Sequence, residues 1–165
     1  MAFTNRSFSL ALILALSLSA SMAPAQQKIA FGNLNQDTTL PVEVQADQLT
    51  VNNADGNAVF SGNVIVTQGE MKLAAGEVRV TYGADGKSID SLVASGGVTV
   101  TNLGDAAEAR EALYTIGSGV IVLTGDVLLT QGPSAMAGQK LTINLKDGTG
   151  VMEGRVTTTF VPGGN

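Results

Sequence analysis

The 165-residue sequence contains no cysteine and no histidine. The first absence removes disulfides, thiolate metal sites and thiol nucleophiles, and the second removes the imidazole general base. Tryptophan is also missing and aromatic residues make up 4% of the chain, so any core is largely aliphatic. Charged residues are 14%, with 9 Lys and Arg scattered along the chain and a formal net charge of −5. No basic patch is available to neutralise phosphates, which argues against a nucleic-acid partner. No Gly-rich loop ending in Lys-Ser/Thr follows a strand-like run, so nothing points to a bound nucleotide or other cofactor. No stretch keeps a convincing helical period.

What is present is glycine, 20 residues of it, among abundant Val, Thr and Leu. That combination suits strands joined by tight turns. Before the strands, Arg6, the apolar run Leu10–Leu18 and Ala23-Pro24-Ala25 read as a secretory signal peptide over residues 1–25, with Ala23 and Ala25 as the small cleavage-site residues. The run falls short of the roughly 20 apolar residues of a spanning helix, and no cysteine follows it to carry a lipid. The expected location is therefore the periplasm or the cell exterior. Residues 26–40 are polar and irregular and are expected to form a flexible leader. Regular patterning starts at Pro41, which sets the expected domain at 41–162.

Within that domain a repeat is visible. Ser61-Gly62-Asn63-Val64 recurs as Ser95-Gly96-Gly97-Val98, Thr124-Gly125-Asp126-Val127 and Glu153-Gly154-Arg155-Val156. A second element alternates with it: Ala46-Asp47-Gln48-Leu49, Ala75-Gly76-Glu77-Val78 and Ala137-Gly138-Gln139-Lys140-Leu141, with Ala109–Leu113 as a looser copy. Gly62–Tyr82 aligns on Gly125–Leu145 without a gap. Asp55-Gly56, Asp85-Gly86 and Asp147-Gly148 are hairpin-turn signals. The pattern predicts stacked strand pairs, each burying its apolar side against the next, with the G-x-V glycine at a bend or bulge. Asp105–Glu111 has good helix formers but spans about two turns, and reads equally well as a loop leading into a strand near Leu113.

Period-two alternation assigns faces. One side gathers Val64 and Val66, Val98 and Val100, Val127 and Leu129, and Val156, Thr158 and Phe160. From the second element it gathers Leu49 and Val51, Val78 and Val80, and Leu141, Ile143 and Leu145. Ile65, Leu128, Ile121 and Leu123 interrupt the alternation and are expected to cap edges or meet partners. The recurring carboxylates Asp47, Glu77, Asp126 and Glu153 are candidates for an acid pair of the glycosidase kind. Their recurrence with the repeat fits solvated strand ends better, so no catalytic residue is assigned. Asp85, Asp90 and Asp147 lack the spacing of a calcium loop, and no metal ligand is assigned.

Pro41-Val42-Glu43-Val44-Gln45-Ala46-Asp47, the Gly62-Asn63-Val64 to Gln68-Gly69 run and Ala75-x-x-Val78 resemble the LptA/OstA family of periplasmic lipopolysaccharide-transport bridge proteins, over roughly Pro41 to Phe160. The resemblance implies an all-β, twisted open β-jellyroll of about 16 antiparallel strands. It implies an apolar groove shielding lipid A acyl chains. That groove would be lined by the inward set above apart from Thr158 and Leu145, together with Phe60 and Leu73, and would contain no cofactor. It also implies head-to-tail stacking through edge strands near Val42 and Val44 and near Val156, Thr158 and Phe160. The implied partners are lipopolysaccharide, further copies of the chain, and the inner-membrane-anchored and outer-membrane components of the transport machinery. An extracytoplasmic β-repeat structural or adhesion protein with a solid core shares the same hydropathy pattern and remains the alternative.

Overall fold

Two kinds of glycine shape this chain. Gly56, Gly86 and Gly148 close hairpins with φ of 62°, 63° and 63°. The G-x-V glycines Gly62, Gly96, Gly125 and Gly154 sit at φ of 77°, 81°, 84° and 84°, inside or between strands. The residue after each, Asn63, Gly97, Asp126 or Arg155, is left-handed too. Two successive left-handed residues cannot continue a pleated strand, so each G-x-V is a corner.

The computed structural model describes residues 27–30 by their backbone, and residues 35–52 and 56–160 in full. The expected signal segment, with the expected cleavage residues Ala23 and Ala25, lies outside the described residues. Among those described there are 13 strands. They are β1 (Gln27–Ala30), β2 (Glu43–Gln45), β3 (Gln48–Asn52), β4 (Asn57–Gln68), β5 (Met71–Tyr82), β6 (Ile89–Ser95) and β7 (Val98–Asn102), followed by β8 (Asp105–Ala109), β9 (Glu111–Thr115), β10 (Val120–Gln131), β11 (Ser134–Asn144), β12 (Thr149–Glu153) and β13 (Thr157–Thr159). All pairings are antiparallel. The count falls below the expected 16 or so because β4, β5, β10 and β11 pass through their corners unbroken, each serving two ladders.

The corners fold the sheet into two leaves. Asn57–Ser61 of β4 pairs with β3 and with Glu77–Thr81 of β5, whereas Val64–Gln68 pairs with Met71–Ala75, and its Ile65, Val66 and Thr67 with β2. The register slips between Ser61 and Val64, and again between Thr124 and Val127, one extra residue each time. The first leaf continues through β6, β9, the start of β10, the end of β11, β12 and β1. The second continues through β7, β8, the end of β10, the start of β11 and β13. The gap-free repeat seen in the sequence is thus the β4–β5 and β10–β11 pairs, in the same register at both places.

Corners stack on corners. Asp47 N–H donates to Gly62 O at 2.9 Å, and Asn63 Nδ2 donates to Asp47 Oδ2 at 2.8 Å. One repeat further, Arg110 N–H donates to Gly125 O at 3.1 Å and the Arg110 guanidinium pairs with Asp126. Gly76 lies against Gly96, where a Cβ on Gly96 would come within 3.2 Å of the Gly76 Cα. The second sequence element is therefore the corner that faces each G-x-V.

Three expectations change. Asp105–Glu111 is neither helix nor loop. Ala106 and Ala107 pair with β7 and β10, and Arg110 supplies the corner between β8 and β9, so short-range helix propensity yields to the ladder. Ile121 and Leu123 do not cap an edge. Both are 0% exposed, in phase with Val127 and Leu129 along β10. Of the segment expected to be an irregular leader, residues 27–30 form β1, paired with β12, and Gln36 N–H donates to Leu145 O at 2.9 Å.

Candidate functional site

The inner faces of the leaves meet in one aliphatic cluster. Val78, Leu92, Ile121, Leu123, Leu141 and Ile143 come from the first leaf; Val64, Val66, Leu73, Val98, Val100, Val127 and Leu129 come from the second. Each of these is at most 2% exposed, so the side chains fill the space between the leaves. Val80, at 1%, joins them. The inward phase is kept along β4 and β10, where Phe60, Val64 and Val66 or Ile121, Leu123 and Val127 share a side. It shifts by one residue at the facing corner, from Ala75 to Val78 in β5 and from Met136 to Leu141 in β11.

At the two ends of the stack the same apolar lane reaches the surface. Leu49 and Val51 stand opposite Phe60 and Ala58 on the terminal strand β3 and are 53% and 60% exposed. Phe60 behind them is half-buried. A cavity of about 510 Å³ lies beside this end, lined in part by Val51, Asn57, Thr81 and Tyr82. Val42 and Val44 pack partly buried against the core, with Val44 paired to Val66. At the other end Val156 and Phe160 are 37% and 69% exposed, and Thr158 pairs with Met136. The predicted inward residues are thus brought together in the middle of the stack and laid open at its ends.

The buried polar residues Gln68, Asn102 and Asp105 lie at the hairpin ends of the strands, far along from the corners. Asp105 accepts from Gln131 Nε2 at 3.0 Å. Gln68, 1% exposed, accepts at Oε1 from Tyr114 Oη at 2.6 Å, linking the second leaf to the first. Burial, against the smaller opposing effect of that hydrogen bond, pushes the Tyr114 phenol up to about 12, so it stays the donor throughout the neutral range. Gln68 carries part of the family resemblance but is given no site role from the sequence. The signal for it was a polar residue in phase with inward Val64 and Val66.

The recurring carboxylates do not converge. Asp47 serves the Gly62 corner, Asp126 pairs with Arg110, and Glu153 lies 3.1 Å from Lys140 Nζ at a third corner. Exposed pairs of this kind contribute little stability. Away from the corners, Asp85 accepts from Lys87 N–H, Ser88 N–H and the Ser88 hydroxyl, which hold its carboxyl below the usual range. No three Asp or Glu residues among the described residues gather as a metal site would require.

A family model described as LptA/(LptD N-terminal domain) LPS transport protein matches residues 43–149, which is most of the folded domain. The lipopolysaccharide export system protein LptA of Escherichia coli K12 is 33% identical over 174 aligned positions, covering 98% of this chain and 90% of that protein. LptA of Haemophilus influenzae is 26% identical, covering 78% of this chain and 81% of that protein. In three dimensions the chain is similar to LptH, described as the LptA-homologous periplasmic component of the lipopolysaccharide transport device of Pseudomonas aeruginosa. The TM-score is 0.69 at 20% identity, over 77% of this chain and 99% of LptH. That similarity bears on the fold, and the folded-over sheet of corner-linked strand pairs is the LptA-like jellyroll. On the family model and the near full-length identity, this chain belongs to the LptA family of lipopolysaccharide transport proteins.

Proposed function

We propose that the chain carries lipopolysaccharide across the periplasm by sheltering the lipid A acyl chains between its two leaves, and that copies stack head to tail to extend the path between the inner and outer membranes. The observation that carries this reading is the uninterrupted aliphatic lane, emerging at Leu49 and Val51 on one end and at Val156 and Phe160 on the other. An acyl chain of about a dozen methylenes loses on the order of 10 kcal/mol, gross, when it is exposed to water. Val, Leu and Ile contacts are non-directional, so a chain can slide along them without a deep trap. The leaves are joined at the corners and packed by side chains elsewhere, so acyl chains enter by replacing leaf-to-leaf contacts with lipid contacts of the same kind. Transport by this route needs energy from partners at the inner membrane.

Stacking follows from the ends. β3 and β2 present one pair of strand edges and β1 and β13 the other, and a strand of a neighbouring copy can extend these ladders. Pairing unlike edges does not close, and gives chains of open length. A solid-core adhesive repeat would bury its lane with no need to release it. The two readings separate on protein exported in its own cell and purified without detergent. Mass spectrometry of the extracted lipid is expected to show lipid A at near one per chain or a sizeable fraction of that. Protein that is folded and free of lipid would contradict the transport reading.

A further inference from the structure

The mouth of the folded sheet, where the hairpin ends of the leaves approach each other, is crossed by the segment Asn35–Leu40. Gln36 is 8% exposed although it belongs to neither leaf. Its backbone N–H donates to Leu145 O, just past the end of β11 in the first leaf, and its side-chain Nε2 donates to Gln68 O at the end of β4, in the second. Gln68 holds the rest of the segment: its Nε2 donates to Thr38 O at 3.1 Å and to Leu40 O at 2.9 Å, while its Oε1 accepts from the Tyr114 hydroxyl. Close packing follows the same path. A Cβ on Gly69 would come within 2.7 Å of Gln36 and 2.9 Å of Leu40, and one on Gly119 within 3.0 Å of Thr38 Cγ2. The repeat supplies an internal comparison. Gln131 stands where Gln68 does, in the same Thr-Gln-Gly, but its amide is engaged by Asp105 on a neighbouring strand. The bridging role belongs to one repeat and one segment.

Resting on the transport reading above, we infer that Asn35–Leu40 is a strap that latches the mouth shut through Gln68 and is lifted when acyl chains enter. Every bond between strap and mouth runs from a neutral amide N–H to a backbone carbonyl, each of modest net strength. The strap is therefore strong enough to favour the shut state and weak enough for a lipid to displace. Lifting it frees Gln68 Nε2 at the boundary between the aliphatic interior and water. An ester or amide carbonyl of an acylated sugar can take the place of the Thr38 and Leu40 carbonyls there, so the buried donor is not left unpaired. The apparent affinity for lipid then equals the intrinsic affinity scaled by the fraction of unlatched protein.

The test pins the strap. The chain has no cysteine of its own. The paired substitutions Thr38→Cys and Lys146→Cys place two thiols where both parent side chains converge on Gly119, with Lys146 Cγ 3.1 Å from the same Cβ position. A short, reducible bis-maleimide then locks strap to mouth. Binding of a fluorescent lipid A analogue to the full folded protein is measured before bridging, after it, and after reduction. Bridging is expected to weaken binding about tenfold or more, and reduction to restore it. Gln68→Ala, which removes two latch bonds, is expected to speed loading several-fold; the bridged pair decides the matter if that variant folds poorly. Equal binding with the strap locked and free overturns the strap. Failure of the unbridged parent to bind the analogue at all overturns the transport reading on which the strap rests.

Discussion

Replacing Gly62 by alanine is expected to destabilise the domain by about 2–5 kcal/mol, the sum of left-handed backbone strain and overpacking. The glycine has φ of 77°, which L-residues rarely adopt, and a Cβ there would lie 2.6 Å from Asp47 Oδ2 and 3.0 Å from Asp47 Cβ. Asp47 cannot retreat without giving up Asn63 Nδ2 and straining its own N–H bond to Gly62 O. Gly97→Ala separates the two causes. Its φ is 83°, but nothing lies within 4 Å of the added Cβ, so strain alone applies, at about 1–2 kcal/mol. Urea denaturation of both variants checks this, and equal losses would mean that the stacking of corners does not constrain the fold.

The second large effect is on assembly. Leu49→Asp with Val51→Asp is expected to leave the melting temperature within a few degrees of the parent, because exposed positions tolerate substitution. Both side chains are more than half exposed on a terminal strand whose only partner among the described residues is β4. In the proposed stack these positions would face the next copy, where two added carboxylates would have to be desolvated. Self-association, read by sedimentation or light scattering over a concentration series, is expected to weaken at least tenfold. Unchanged association would place the contact elsewhere. Loss of folding would mean that these residues belong to the core of the single chain.

Much of this architecture is legible in the sequence because the corners are chemically expensive. Only a residue such as glycine adopts the backbone of Gly62, Gly96, Gly125 and Gly154 without strain, so the repeat is written in the positions that allow least choice. The alternation of Val and Thr on β7 or of Met, Leu and Lys on β5 gives the inner face directly. The misreadings have physical causes. Ile121 and Leu123 looked out of phase because Val120 and Val122 beside them are also apolar, and single-strand periodicity cannot tell which set a second leaf will cover. Asp105–Ala109 is rich in alanine, whose helix propensity is overridden once β7 and β10 offer ladders on both sides. The pairing of 27–30 and the bonds of Gln36, Thr38 and Leu40 are not legible because the partners, β12, Leu145 and Gln68, are distant in sequence and the bonds to 27–40 largely use backbone groups that leave no trace in residue type. The carboxylates were read as strand-end groups, and the corners at Asp47, Asp126 and Glu153 show the bonds that keep them there.

The central claim is that lipid lies between the leaves. A photoreactive amino acid placed in the exported protein at Val66, Val80 or Ile143, each at most 1% exposed, samples the interior. The same residue at Arg79 or Thr142, adjacent in sequence but on the outer face, samples the surface. On irradiation in the cell, lipopolysaccharide adducts are expected at the three inner positions and not at the two outer ones. Adducts at inner and outer positions alike, or at none of them in folded and exported protein, would contradict the account.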